Sequence, residues 1–193
     1  MIETLRSNWW LLAICAVLDA MISAVYLVMR STDGGVLSYS WNGTVVFVGK
    51  LAIAAGFCTI AAALVGSRKS WVLALNGLAL VAIGAAQQLT RVPISILVFA
   101  CLVILMAVSL GFLDLAVARA FRLRLRRADS LVFTVAGIVS MAFVLPWLAL
   151  GFRWIAMEPG SHPDLLWLGS FFGFAAVCTM ALAIRLNRTA SVG

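Results

Sequence analysis

Long apolar runs alternate with short polar segments along the whole sequence. A transmembrane helix needs about 20 predominantly apolar residues, because it rises only about 1.5 Å per residue. Six runs reach this length. The pattern predicts an all-α, polytopic membrane protein whose single domain, residues 1–193, contains six transmembrane helices. We expect these helices at residues 9–29, 43–65, 71–89, 94–117, 131–152 and 165–184.

The six predicted helices group into three hairpins, each of which closes on a basic segment. Aligning Trp10 with Trp71 also sets Ser23 against Gly84, at a period of about 60 residues. Hairpins that share one orientation are parallel repeats, related by an axis along the membrane normal. The sequence therefore predicts three parallel-repeat hairpins, at about residues 9–66, 71–118 and 131–185.

The basic residues are distributed unequally between the two predicted membrane surfaces. Ten lie on the side of both termini, whereas the opposite loops carry only three, namely Arg30, Arg91 and Arg153. Short loops rich in Lys and Arg remain in the cytoplasm. We therefore expect a multi-pass protein of the inner (plasma) membrane, with the N-terminus and the C-terminus both cytoplasmic.

The densest basic segment is an arginine-rich stretch at residues 119–127. Soluble proteins are about half apolar, whereas this chain is 64% hydrophobic and has a net charge of +7. In such a chain, flanking arginines indicate membrane topology and attraction to anionic lipid rather than binding of nucleic acid. The expected partners are anionic head groups, with homo-oligomer formation left open. The head groups would contact Arg119, Arg122, Arg124, Arg126 and Arg127.

Two charged residues interrupt the first predicted hairpin, Asp19 on its first helix and Lys50 on its second. Their expected depths differ by about 5 Å, within the reach of a lysine side chain. An unpaired charge there costs at least about 2.5–3.5 kcal/mol on insertion scales. We therefore expect either an ion pair between Asp19 and Lys50 or a neutral Asp19. Such a pair either joins the two helices structurally or forms part of a proton or ion relay.

The second hairpin carries Asn76 and Asp114 at similar expected depths, about 7 Å from the inner boundary. A hydrogen bond between the two would stabilise the hairpin by about 0.6–2 kcal/mol. A contact of Asp114 with Arg119 is the alternative. Both interpretations are structural.

Other polar and conformational features have several interpretations each. Gln87 and Gln88 mark the outer end of the third helix, where they either line a vestibule or face the membrane interface. A GxxxG motif at residues 169–173 permits close backbone approach but does not say whether the contact is within one chain or between two. Pro146 should kink the fifth helix.

Residues suited to catalysis or to metal binding are sparse. His162, the single histidine, lies near Glu158 in an outer loop, where it either senses external acid or is simply solvated. The four cysteines lie inside apolar runs without a CxxC pair, which is typical of small buried residues. No nucleophile has a suitable base nearby in the sequence. We therefore predict no enzyme activity, no cofactor and no metal site.

Several short motifs, taken with the three hairpins, resemble the HdeD family of small bacterial membrane proteins. They are Trp71 opening the third helix, Gly77 and Gly84 along it, Val92-Pro93 at its outer end, and Glu158-Pro159-Gly160 at the matching place in the third hairpin. The resemblance implies a six-helix inner-membrane protein linked to acid-stress resistance, without established catalytic residues.

The first hairpin departs from this family pattern. Its outer turn, Asp33-Gly34-Gly35, lacks proline, and its first helix carries Asp19 in place of a small or apolar residue. The resemblance favours a non-catalytic protein of acid or envelope stress resistance. The charged first hairpin favours the alternative, a small proton-coupled or solute channel or transporter with a polar site at Asp19 and Lys50.

Overall fold

The computed structural model describes residues 7–32, 43–65, 70–88, 96–124, 127–152 and 163–190. These residues form seven helices, and no strand occurs among them. The helices are α1 (Trp9–Thr32), α2 (Gly43–Leu64), α3 (Trp71–Gln88), α4 (Ile96–Arg124), α5 (Arg127–Ala142), α6 (Val144–Gly151) and α7 (Pro163–Ala190).

Six segments of these helices are long and apolar enough to cross a membrane. They are Trp9–Val28, Val46–Leu64, Trp71–Gln88, Cys101–Arg119, Ser130–Ala149 and Leu165–Arg188. Large apolar side chains such as Phe57, Trp71 and Val177 are more than half exposed on the outside of the bundle. Lipid is the solvent that suits such a surface. The prediction of six helices long and apolar enough to span a membrane is therefore confirmed, and the regular structure of the described residues is all helical.

The fifth span consists of two helices, since α5 ends at Ala142 and α6 begins at Val144. Pro146 lies three residues beyond the turn at Phe143. Proline removes one backbone hydrogen bond and crowds the carbonyl four residues earlier, which is that of Ala142. The sequence predicted a kink at Pro146, and the structure shows a break between α5 and α6 that falls one turn before the proline itself.

The arginine-rich stretch is mostly helical, whereas the sequence predicted that the fourth helix ends at residue 117. Helix α4 continues to Arg124, and α5 begins at Arg127. Hydropathy locates the end of an apolar run, but arginine has a high helix propensity and so continues the helix beyond it. Arg119 and Arg122 are exposed there. We call this end of the bundle, where Arg185 and Arg188 also lie, the arginine end.

Consecutive helices from α1 to α6 are neighbours in the bundle, whereas α7 packs mainly on α1 and so closes the arrangement. The most extensive contacts join α2 to α3, α4 to α5, and α7 to α1. Within the predicted hairpins, α1 packs on α2 and α3 on α4 through smaller contacts. The tightest packing therefore lies between the predicted hairpins. The threefold repeat itself stays a prediction.

Glycines account for the close contact between α2 and α3. A Cβ atom added to Gly56 would lie 2.6 Å from the carbonyl oxygen of Gly77, and one added to Gly84 would lie 2.5 Å from that of Gly49. Contacts this short with backbone atoms leave no room for a side chain. Small residues allow helices to approach closely in lipid, where packing replaces the hydrophobic effect.

The GxxxG motif of α7 contacts α1 of the same chain. The Ser23 hydroxyl donates a hydrogen bond to the carbonyl oxygen of Gly169 at 2.6 Å. A Cβ atom on Gly173 would lie 2.8 Å from the same hydroxyl. The sequence left open whether this motif makes a contact within one chain or between two. In the structure it joins α7 to α1 of the same chain.

Candidate functional site

A cavity lies inside the bundle between five helices, α1, α2, α3, α4 and α7. The volume open to the centre of a water molecule is about 20 Å³, which is enough for about one ordered water. The lining is largely apolar but includes two acids, an amide, two hydroxyls and a thiol. These polar lining residues are Cys15, Asp19, Thr59, Asn76, Asp114 and Thr179.

Asp19 lies on the buried stripe of α1, which also carries Leu12, Cys15, Ile22 and Tyr26. Residues three and four apart share one helix face, so the charge predicted in the first span faces the interior. Asp19 is only 3% exposed, and its Oδ1 atom has no hydrogen-bond partner in the part of the chain that the structure describes. Its Oδ2 atom is 3.7 Å from the Cys15 Sγ atom, which donates to it.

Cys15 connects Asp19 to the second helix. Its Sγ atom is 3.1 Å from the hydroxyl oxygen of Thr59. The Thr59 hydroxyl donates to the carbonyl oxygen of Ala55 at 2.8 Å, so the single thiol proton of Cys15 is shared between Thr59 and Asp19. A thiol is a weak donor and satisfies Asp19 only partly.

The structure does not bring Lys50 to Asp19. Lys50 is exposed on α2 and does not line the cavity. Nine residues separate it from Thr59, which contacts α1. At about 100° per residue, nine residues place the two side chains on opposite faces of the helix. Lys50 is also only four residues from the start of the span at Val46, so its amine can extend to the membrane surface. Cys15 therefore replaces Lys50 as the neighbour of Asp19.

Asp114 and Asn76 line the same cavity, as their predicted depths suggested. The Asn76 amide nevertheless donates to the Ser109 hydroxyl at 3.1 Å and to the Met106 carbonyl oxygen at 3.5 Å, rather than to Asp114. Asp114 is 2% exposed, and its Oδ2 atom has no partner among the described residues. Arg119, the alternative partner, is exposed at the arginine end. Asp114 therefore presents an unpaired oxygen inside the bundle.

Three of the six polar lining residues lie at a common level, nearer the arginine end. Thr59, Asn76 and Asp114 are each five residues from the end of their span at that side. Five residues correspond to about 7.5 Å of helix. Asp19 is ten residues from Trp9, about 15 Å along α1. The cavity thus extends from near the arginine end toward the middle of the bundle.

A tightly packed layer separates the cavity from the opposite end of the bundle, where α3 ends at Gln88. Tyr26, Ile83 and Phe172 are each about 1% exposed. The Gln87 amide donates a hydrogen bond to the Tyr26 hydroxyl, and the Tyr26 and Phe172 ring centroids are 6.0 Å apart. We call Tyr26, Ile83, Gln87 and Phe172 the outer layer.

The chemistry available in the cavity is the binding and release of protons. Two carboxyl groups face it, and no Lys, Arg or His is found among its described lining residues. No group of three or more His, Cys, Asp or Glu side chains that could hold a metal ion occurs in the described part of the chain. The space suits water or a proton carried by water, and excludes an organic solute from this conformation.

Sequence reasoning identified the two acids but missed their neighbours. Cys15 was interpreted as a small apolar residue, and Tyr26 was not considered. Both lie on the face of Asp19, four residues before it and seven after it. That helical spacing was a usable signal. Gln87, for which two interpretations were open, is 3% exposed and faces the interior.

The possible acid sensor of the outer loop, His162 with Glu158, lies outside the described residues. Arg126 lies outside them as well. Among the described residues, the candidate site consists of the cavity and of the outer layer above it.

No protein-family model, no curated protein and no solved structure matches this chain.

Proposed function

We propose that this protein conducts protons across the membrane, with Asp19 and Asp114 as the groups that bind them in transit. The observation that carries the proposal is the pair of buried carboxyl groups, each with an unpaired oxygen, at one cavity. Ionisable groups inside a membrane domain are costly, and they commonly mark ion and proton pathways. A purely structural carboxyl group would be expected to have its oxygens satisfied.

This proposal modifies the transporter expected from the sequence. Lys50 is omitted from the site because it is exposed on the opposite face of α2 from Thr59. Asp114 takes its place as the second charged group of the pathway, since it lines the cavity together with Asp19. The small volume of the cavity favours protons over solutes. The protein needs no catalytic residue, cofactor or metal for this activity.

The test is proton flux into vesicles that contain the purified protein. A potassium gradient with valinomycin supplies the driving potential, and a trapped pH-sensitive dye reports the internal pH. We expect faster pH change than in protein-free vesicles, because the buried carboxyl groups lower the barrier to charge movement through the apolar core. Flux equal to that of protein-free vesicles, at neutral and at acidic pH, would contradict the proposal.

The proposed orientation places the arginine end, and with it both termini, in the cytoplasm of a cell whose inner membrane holds the protein. The exposed Arg119 and Arg122 would then contact anionic lipid head groups. We expect a green fluorescent protein fused after Gly193 to fluoresce, and an alkaline phosphatase fused there to be inactive. The same phosphatase fused after Gly35, in a predicted outer loop, should be active. The reverse result would invert the topology.

A second candidate follows from the resemblance to the HdeD family, namely a non-catalytic protein of acid or envelope stress resistance that acts by helix packing. The close glycine contacts between α2 and α3 favour it, because they suit a rigid bundle. The two candidates differ in what Asp19 does. Under the packing hypothesis, Asp19→Asn changes thermal stability only, and the vesicles that contain the wild-type protein show no proton flux.

A further inference from the structure

The outer layer lies directly over the cavity, along the same faces of three helices. Tyr26, Ile83 and Phe172 are each seven residues from a cavity residue, namely Asp19, Asn76 and Thr179 respectively. Seven residues return a helix to nearly the same face after about 10.5 Å. A path that follows α1, α3 and α7 from the cavity to the opposite end of the bundle therefore crosses this layer.

Two polar side chains interrupt the otherwise apolar layer. The Gln87 amide donates to the Tyr26 hydroxyl across the bundle, from α3 to α1. The Gln87 Oε1 atom is buried and has no hydrogen-bond partner among the described residues. A buried acceptor without a partner lowers the stability of the folded protein. The donor of the Gln87 amide is thus accounted for by Tyr26, whereas its buried acceptor is not explained by stability.

Space for Gln87 is provided by the helix that faces it. A Cβ atom on Gly49 of α2 would lie 3.1 Å from the Gln87 Cβ and 2.6 Å from the Gln88 Nε2 atom. The neighbouring Gln88 differs in its role, since it donates to the carbonyl oxygen of Val46 at 2.6 Å and is only partly buried. Of the two glutamines, only Gln87 faces the interior above the cavity.

We propose that Tyr26 and Gln87 form the outer polar step of the proton pathway, the point at which water bridges the apolar layer between the cavity and the opposite end. This inference rests on the proposed proton conduction. The unpaired Oε1 atom of Gln87 is the acceptor for the entering water, and the Tyr26 hydroxyl, which accepts from the Gln87 amide, belongs to the same buried face of α1 as Asp19. A proton from the opposite end thus reaches Asp19 only after this step, which makes the pair a positioning element for water.

The test replaces Gln87 by leucine, which has a similar size but offers no acceptor. We expect the proton flux of Gln87→Leu to be at least about tenfold lower than that of the wild type. The reason is that the outer layer then offers no side-chain amide to hold the entering water. The melting temperature should change little, because the variant removes an unsatisfied buried acceptor but also removes the hydrogen bond from the Gln87 amide to the Tyr26 hydroxyl. Gln88→Leu is the matched control, and its flux should equal that of the wild type.

The measurements separate failure of this inference from failure of proton conduction itself. If Asp19→Asn abolishes flux while Gln87→Leu conducts like the wild type, the pathway avoids the pair, and only the inference is overturned. If Gln87→Leu lowers the flux and the melting temperature together, the residue acts in packing, and the inference is again overturned. If the wild-type protein conducts no protons, both proposals fall. Loss of flux with an unchanged melting temperature supports the polar step.

Discussion

Replacing Asp19 by asparagine is expected to lower proton flux by about 100-fold, the scale on which a positioned proton-transfer group contributes to a rate. Asparagine occupies nearly the same volume and keeps an oxygen to accept from Cys15, but its amide does not bind and release a proton. The fold should be retained, since the variant removes an incompletely satisfied carboxyl group from a site that is only 3% exposed. The measurement is dye-reported flux in vesicles, together with a melting curve.

Lys50→Gln is the matched control for this variant. It also removes one charge from the first hairpin, but Lys50 is exposed on the opposite face of α2 from Thr59. We therefore expect flux like that of the wild type. A loss of flux in Lys50→Gln as large as that in Asp19→Asn would contradict this assignment and would support the ion pair between Asp19 and Lys50 that the sequence suggested. Wild-type flux in both Asp19→Asn and Asp114→Asn would show that protons move without these carboxyl groups.

The position of Lys50 illustrates what sequence reasoning could and could not provide. Counting residues from the ends of a span gives depth, and Asn76 and Asp114, which were predicted at similar depths, both line the cavity, although Asn76 donates to Ser109 and Met106 rather than to Asp114. Depth alone does not give the face of the helix that a side chain occupies. Thr59 contacts Cys15, and this contact fixes the rotation of α2 about its axis. Since hydropathy is nearly uniform around such a helix, only the packing reveals this rotation.

The helices themselves followed from the sequence because the apolar runs are long and well separated. Their partners did not, because lipid is as apolar as leucine and so imposes no preferred buried face. The glycines carried part of the missing information. Gly49 and Gly56 are spaced by seven residues, as are Gly77 and Gly84, and the two pairs face one another across α2 and α3. Two glycine pairs with the same spacing on consecutive, antiparallel helices would have predicted this contact.

Gly77 lies in that contact, and its replacement by valine is expected to have the largest effect on stability. A Cβ atom at Gly77 would lie 2.7 Å from the carbonyl oxygen of Gly56 and 2.9 Å from the backbone nitrogen of Ile60. Backbone atoms cannot rotate away, so α2 and α3 must separate and lose their packing along the whole contact. We expect a loss of about 3 kcal/mol or more, seen as a melting temperature lowered by about 10 °C.

Matched alanine variants test whether the backbone contact is the cause. At Gly173 an added Cβ atom would meet only the side chain of Ser23, whose hydroxyl can rotate at the loss of its hydrogen bond to Gly169. Gly173→Ala should therefore destabilise the protein less than Gly77→Ala, although both glycines lie in helix contacts. Leu78→Ala, at a position that is 57% exposed, should change the melting temperature least. Equal losses for Gly77→Ala and Gly173→Ala would contradict this cause, because displacing the Ser23 side chain would then cost as much as displacing the backbone of α2.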